Sequence, residues 1–235
     1  MSIISYILIT MLRNISFFCL HGLVPWKRTP TRPALQPLII FLLGAPGVGK
    51  GTISGFLNTS FNGLTHLSYG DLLRYEDRIP GSWISSFPRR EGATNPLLPA
   101  RDAVKLLRNT IETGALKHGQ MTWLIDGFPR EEDHVAEWLK QMPRADLVLY
   151  LFCPPDVSFE RIMGRAEKSG RPEDADPQKV RTRLQRNIAK CEPMLDALER
   201  PGMQITRIDA NRDLETVKKE VYDHVQEAMV NWAGN

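Results

Sequence analysis

Six consecutive apolar residues, "LIIFLL" from Leu38 to Leu43, run without a break into "GAPGVGKGT", Gly44 to Thr52. An unalternated run of this length suits a strand buried on both faces, which is the environment of a parallel sheet covered by helices. The glycine-rich turn that follows nearly fits the phosphate-cradling pattern G-x-x-x-x-G-K-[ST], with Gly44, Gly49 and Lys50 in register. A helix is expected to open at about Thr52. Strand, glycine turn and helix in this order constrain the chain to an α/β fold whose first loop turns backbone N–H groups and a helix N-terminus toward anionic oxygen. One position breaks the pattern: Gly51 stands where a metal-binding hydroxyl belongs, and Thr52 follows one residue late.

Three more apolar runs recur downstream, "MTWLID" (Met121 to Asp126), "DLVLYLF" (Asp146 to Phe152) and "MQITRID" (Met203 to Asp209), each followed by a longer amphipathic stretch. "THL", Thr65 to Leu67, is a further short strand candidate. Alternating strands and helices predict a doubly wound parallel sheet with ligands at the carboxyl ends of its strands. There are no repeats and no low-complexity tracts.

Before Leu38 the chain has a different character. No Asp or Glu occurs from Met1 to Gly70, while Arg13, Lys27, Arg28 and Arg32 precede the first strand. The opening apolar stretch is interrupted by Arg13 and Asn14, so it offers no unbroken run long enough to cross a bilayer. "TPTRPALQP", Thr29 to Pro37, is a proline-rich linker that disfavours helix. Residues 1–37 are therefore expected to form a basic leader, disordered or targeting, and the folded domain is expected to span 38–235. The expectation is a cytoplasmic or nuclear protein that makes no membrane contact, the alternative being mitochondrial import, which an acid-free, basic leader suits.

A net charge of +3 is too small to point to nucleic acid as a partner. Cys19, Cys153 and Cys191 are odd in number and contain no C-x-x-C pair, which supports neither a disulfide framework nor a zinc site. No N-K-x-D base-reading motif of a nucleotide switch is present.

Three further stretches carry candidate chemistry: "HLSYGDLLR" (His66 to Arg74), "DGFPR" (Asp126 to Arg130) and "RIMGRAEKSGRPEDADPQKVRTRL" (Arg161 to Leu184). Taken singly, Arg74 fits a solvated helix, Asp126 a strand-end turn, and the arginines at 161, 165, 171, 181 and 183 a charged face meeting Glu173 and Asp174. Arg161 and Arg165, four apart, share one helix face.

Taken together and in this order, the motifs resemble the nucleoside monophosphate kinases, the adenylate kinase and uridylate-cytidylate kinase superfamily, from about Leu38 to the C-terminus. "GAPGVGKGT" is similar to the family loop G-x-P-G-x-G-K-G-T, so the displaced hydroxyl is a family trait. The resemblance implies transfer of the γ-phosphoryl group of ATP, with Mg²⁺, to a nucleoside monophosphate. It implies an ATP site of Gly44, Pro46, Gly47, Val48, Gly49, Lys50, Gly51 and Thr52 with Arg161 on the base, and Thr52 and Asp126 near the metal through water. It implies an acceptor site in a region spanning 69–100, with Ser68, Gly70, Arg74, Gly127, Arg130 and His134. Lys50, Arg130, Arg165, Arg171 and Arg183 are the implied catalytic cations, the last three around a short lid, 166–177, without cysteines.

Two departures from the family pattern stand out. "RPED" lengthens the lid by one residue, which leaves Arg181 competing with Arg183; the leucine after Arg183 favours the latter. "REGATNPLLP" stretches the acceptor region where a compact E-G-x-x-V-P is usual. Trp138 and Cys153 resemble the uridylate-cytidylate branch, which implies UMP and CMP as acceptors, AMP being the alternative, in a monomer. A catalytically weak nucleotide-binding partner protein is the other reading.

Overall fold

The computed structural model describes residues 36–89, 95–169 and 174–234, all within one compact unit, Arg32–Asn235. Five strands, β1 (Leu38–Leu43), β2 (Leu64–Ser68), β3 (Thr122–Asp126), β4 (Leu147–Phe152) and β5 (Ile205–Asp209), form one sheet in the order β2-β3-β1-β4-β5. Every pairing is parallel. Between and after them run α1 (Lys50–Ser60), α2 (Tyr69–Asp77), α3 (Ala100–His118), α4 (Glu132–Gln141), α5 (Pro155–Ser169), α6 (Pro177–Glu199) and α7 (Leu214–Ala233).

β1 occupies the centre, and its unbroken apolar run is explained by a core on either side. Ile39, Phe41 and Leu43 point into a cluster with Trp123, Ile125, Trp138 and Leu195. Leu38, Ile40 and Leu42 point the other way, toward Leu57, Leu124, Val217 and Val221. All six β1 side chains are buried, each contributing about 1.5–3 kcal/mol of hydrophobic stabilisation. Trp138 is part of this core: its ring meets Phe41 edge-on at 5.1 Å, and its indole Nε1 donates to the Pro143 carbonyl at 2.7 Å.

A third, smaller cluster joins Ile162 of α5 to Val180 and Leu184 of α6, with Ala45 of the first loop packed against it. This cluster fixes the base of the two arginine-bearing helices beside the glycine turn. α6 begins cleanly because Asp176 accepts hydrogen bonds from the Gln178 and Lys179 amides and Pro177 occupies the first turn. α1 begins at Lys50, two residues earlier than the sequence suggests, because Gly49 takes a left-handed conformation (φ 109°) that turns the chain straight into the helix. No side chain caps that N-terminus, so its N–H groups stay directed at the loop.

Among the described residues no helix is long and apolar enough to cross a membrane. Of the leader, 1–37, residues 1–35 lie outside the described residues.

Candidate active site

A cleft of ≈ 890 Å³ opens at the carboxyl ends of β1, β2 and β3. On one side it is walled by the loop from Gly44 to Thr52. Two glycines there are required by close approach: a Cβ on Gly44 would meet the Leu151 carbonyl oxygen at 2.3 Å, and one on Gly47 would meet that of Ser158 at the same distance. The loop is thus pressed against the end of β4 and the first turns of α5. Val48 directs its side chain into the core, its amide bonds to the Ala45 carbonyl, and it does not line the cleft.

Lys50 lies within the loop's own curl. Its Nζ donates to the carbonyls of Gly44 at 2.8 Å and Ala45 at 3.0 Å. Burial lowers its pKa below the ordinary 10.5, with nearby Asp126 acting in the opposite sense. An anion placed here would restore the stability of the cation. Asp126 ends β3 in register with Leu42 of β1 and Ser68 of β2, which brings it to the floor of the cleft beside the lysine. His66 Nε2 stands 3.7 Å from an Asp126 carboxylate oxygen.

The far wall comes from α2 and the "DGFPR" turn. Ser68 caps α2 by accepting from the Asp71 amide at 3.3 Å. Arg74 pairs with Asp71 one turn earlier. Both Ser68 and Gly70 line the cleft with Arg74, Gly127 and Arg130. The Phe128–Pro129 peptide bond is cis. Arg130 Nε donates to the Gly127 carbonyl at 3.0 Å, and its guanidinium carbon lies 4.7 Å from the centre of the Tyr69 ring. A planar guanidinium held this way keeps its outer N–H fork for a ligand. Removal from water lowers the Arg130 pKa, with Tyr69 and Asp126 opposing, and the group stays cationic at neutral pH. Burial likewise pushes the Tyr69 phenol up to about 12.

The third wall is the arginine pair of α5 with one arginine of α6. Arg161 bridges the loop and the end of β5, donating to the Val48 carbonyl at 3.4 Å and the Ala210 carbonyl at 3.0 Å. Arg165 and Arg183 share a single carboxylate, Asp174, whose side chain is 0 % exposed; Arg165 reaches one oxygen at 3.4 Å and Arg183 the other. The Nε of each is buried without a hydrogen-bond partner. Arg181 turns away, with its guanidinium carbon 4.0 Å from the centre of the Phe159 ring. Arg171 lies outside the described residues.

Two positions depart from the sequence reading. His134, expected beside the acceptor base, is buried under the "DGFPR" turn and does not line the cleft. Its Nδ1 accepts from the Arg130 amide at 3.2 Å, and its ring stacks on Phe128 at 5.0 Å. Burial lowers its pKa below 6.5, so the neutral ring that can accept this hydrogen bond is favoured. Asp174 was legible only as part of a charged face; its role as shared counter-ion comes from its burial between Arg165 and Arg183. Asn95, His66 and Asn187 also line the cleft without having been singled out.

A parallel sheet of this order, a P-loop at the end of its central strand and a cleft faced by six cations define the class of P-loop phosphoryl-transfer folds. Residues 43–181 match the family model described as an AAA domain. The chain is 33% identical over 191 residues to the UMP-CMP kinase of Gallus gallus, covering 80% of this chain and 96% of that one. It is 32% identical to the Homo sapiens UMP-CMP kinase with the same coverage, and 30% identical over 204 residues to the Saccharomyces cerevisiae uridylate kinase, covering 86% and 98%. The chain belongs to the UMP-CMP kinase family of P-loop nucleoside monophosphate kinases.

Proposed function

We propose that this protein transfers the γ-phosphoryl group of ATP to UMP or CMP, giving ADP and the nucleoside diphosphate. One observation carries the reading. Lys50, Arg74, Arg130, Arg161, Arg165 and Arg183 converge on one cleft, while the carboxylates closest to them, Asp71, Asp126 and Asp174, are half as many. Such an excess of fixed cations suits two phosphate-bearing ligands held end to end. The names of the relatives support the choice of pyrimidine acceptors.

The chemistry follows from charge and position. An oxygen of the acceptor monophosphate forms a bond to the γ-phosphorus, and the bond from that phosphorus to the β–γ bridging oxygen breaks. The acceptor is already anionic, so no side chain needs to remove a proton from it, and the residues act by alignment and charge stabilisation. Lys50 and the loop amides hold the donor phosphates, and Arg161 lies along the donor base. Arg74 and Arg130 hold the acceptor phosphate. Arg165 and Arg183 face the transferring group, a role that the family resemblance extends to Arg171.

Among the described residues no group of three or more His, Cys, Asp or Glu could hold a metal ion by itself. Mg²⁺ fits as a partner carried in by ATP, because the Thr52 hydroxyl and the Asp126 carboxylate both line the cleft beside Lys50 and would hold its water shell. The ion supplies charge neutralisation on the transferring phosphate. A monomer in the cytoplasm or nucleus suits this activity, while the basic leader, 1–37, would direct it to the mitochondrion; imaging a C-terminal tag with and without the leader decides between them.

The decisive assay is a kcat/KM panel over UMP, CMP, AMP and GMP at saturating MgATP. UMP and CMP should lead. AMP ahead of UMP by tenfold, about 1.4 kcal/mol, would make AMP the acceptor, and no diphosphate from any of the four would leave a nucleotide-binding protein without kinase activity.

A further inference from the structure

Ser68 and Gly70 line the cleft, but Tyr69 between them does not: it is 2% exposed and belongs to the core on that side of the sheet. Its ring still meets the cleft wall from beneath, because the Arg130 guanidinium carbon lies over it, 4.7 Å from its centre. The ring is itself fixed. Phe128 meets it edge-on at 5.3 Å, stacks on His134 at 5.0 Å and packs against Trp138. Arg130, by contrast, is exposed, and its other two contacts, Nε to the Gly127 carbonyl and the amide to His134 Nδ1, lie short of its charged end. That end is crowded. A Cβ on Gly70 would stand 3.5 Å from a terminal nitrogen of Arg130 and 3.5 Å from one of Arg74, so the two guanidiniums meet over the first turn of α2. Like charges this close repel and splay long side chains unless each is held. Arg74 is held by Asp71. For Arg130 the matching anchor is the ring, since a π face attracts a cation.

We propose that Tyr69 is a positioning residue for the acceptor phosphate: its buried ring is the platform that holds the Arg130 guanidinium in place before the nucleotide arrives. This rests on the phosphoryl-transfer reading above. A long side chain that must be ordered during binding lowers affinity, and one ordered beforehand does not. Burial pushes the Tyr69 phenol up to about 12, so the ring is neutral at working pH and attracts the cation through its π face rather than as a phenolate. The two aromatic supports differ in what they hold: His134 takes the backbone amide of Arg130, and Tyr69 takes its charged end. Phe128, in contact with both rings, ties them to the core. Tyr69 thus acts through the arginine and not on the substrate.

The test measures KM for UMP and for ATP, with melting temperature, in the full-length wild type, Tyr69→Phe and Tyr69→Leu. Tyr69→Phe keeps the ring and should stay within about twofold of the wild type for both substrates. Tyr69→Leu keeps an apolar side chain but removes the π face. It should raise KM for UMP about fivefold, the scale of one cation–ring contact, and leave KM for ATP within about twofold. In an Arg130→Ala background, adding Tyr69→Leu should weaken UMP binding, read by calorimetry, by less than about twofold, because the two residues form one unit. An unchanged KM for UMP in Tyr69→Leu overturns the proposal, as do equal losses for UMP and ATP, or a loss of about fivefold that persists without Arg130. Should Tyr69→Leu melt too low to assay, a ring-fluorinated phenylalanine at position 69 takes its place. Fluorine drains negative charge from the ring face while keeping its shape, so KM for UMP should rise about threefold above that of Tyr69→Phe; equal values for the two overturn the proposal. A wild type that makes no diphosphate from UMP refutes the kinase reading instead, and that is seen before any variant is compared.

Discussion

At the P-loop end of the cleft the ligand-facing groups sit on backbone that the sheet itself fixes: the loop leaves a strand buried on both faces and is pinned by contacts of Gly44 and Gly47 with two carbonyls. The Tyr69–Pro99 end is built otherwise. Its helix is short, the Arg89–Pro96 bridge beside it is held by one exposed ion pair and a few backbone bonds, and Tyr75, Trp83 and Leu97 are 66, 41 and 42% exposed. Phosphate is read by backbone geometry and fixed cations, which leaves little room for variation. A base is read by a side chain on a loop, and a loop can change length without disturbing the core. Variants at the first end should therefore abolish activity, and variants at the second should redirect or weaken it.

The largest effect should come from Lys50→Met. Losing a preorganised cation at the phosphates costs about 10²- to 10³-fold in kcat or more, with a melting temperature no lower than the wild type. A variant retaining a tenth of wild-type turnover would remove the P-loop end from its leading place in the comparison. Next is Asp174→Ala, which leaves Arg165 and Arg183 facing each other without their shared carboxylate. Breaking a fully buried pair costs roughly 3–5 kcal/mol; these guanidiniums reach solvent, so a loss of about 2 kcal/mol in urea unfolding is expected, together with a fall in kcat. Equal activity in the variant would show that the arginines need no carboxylate to orient them.

Arg130→Lys keeps the charge and discards the planar fork. It should raise the acceptor KM about tenfold, about 1.4 kcal/mol, and leave the ATP KM within twofold; parallel losses for both substrates would make Arg130 part of the scaffold and blur the two ends into one. A smaller contrast lies within α6. Arg183→Ala should lower kcat at least tenfold, whereas Arg181→Ala should cost only the stacking on Phe159, about 0.5–1 kcal/mol of stability, with turnover within twofold. The reverse order would exchange their roles.

The smallest effect should be a pH dependence at His134. Its folded-state pKa is depressed by burial, against weaker opposition from Asp133 and Glu131 and reinforcement from Arg130 and Lys190. Below pH 6.5 the unfolded chain takes up a proton that the folded chain resists. Stability present above pH 6.5 should thus be lost as the pH falls toward the depressed value. His134→Asn, whose Oδ1 can accept from the same amide, should flatten that part of a melting-temperature profile; an unchanged profile would assign the slope to other groups.

The five strands and the P-loop were legible because unbroken apolar runs and a glycine spacing are local signals with one structural meaning. The start of α1 was misplaced by two residues because a left-handed glycine can serve as the cap itself, without a Ser or Asp to announce it. Spacing alone could not say that Asp174 would be buried, whereas the leucine after Arg183 had favoured that arginine over Arg181, and it is Arg183 that reaches Asp174. The position of His134 was foreseen on the right turn but not its direction: a ring that stacks on Phe128 faces inward, and only the packing of three aromatic groups reveals that.

Two guanidiniums sharing one carboxylate leave that wall of the cleft with one positive charge in excess. Any polyanion that settles there therefore acts as a folding ligand as well as a substrate, adding RT ln(1 + [L]/Kd), about 2.7 kcal/mol when its concentration is a hundred times Kd. The same logic makes a phosphate buffer a stabiliser, so a melting temperature measured in it would overstate what the bare chain achieves.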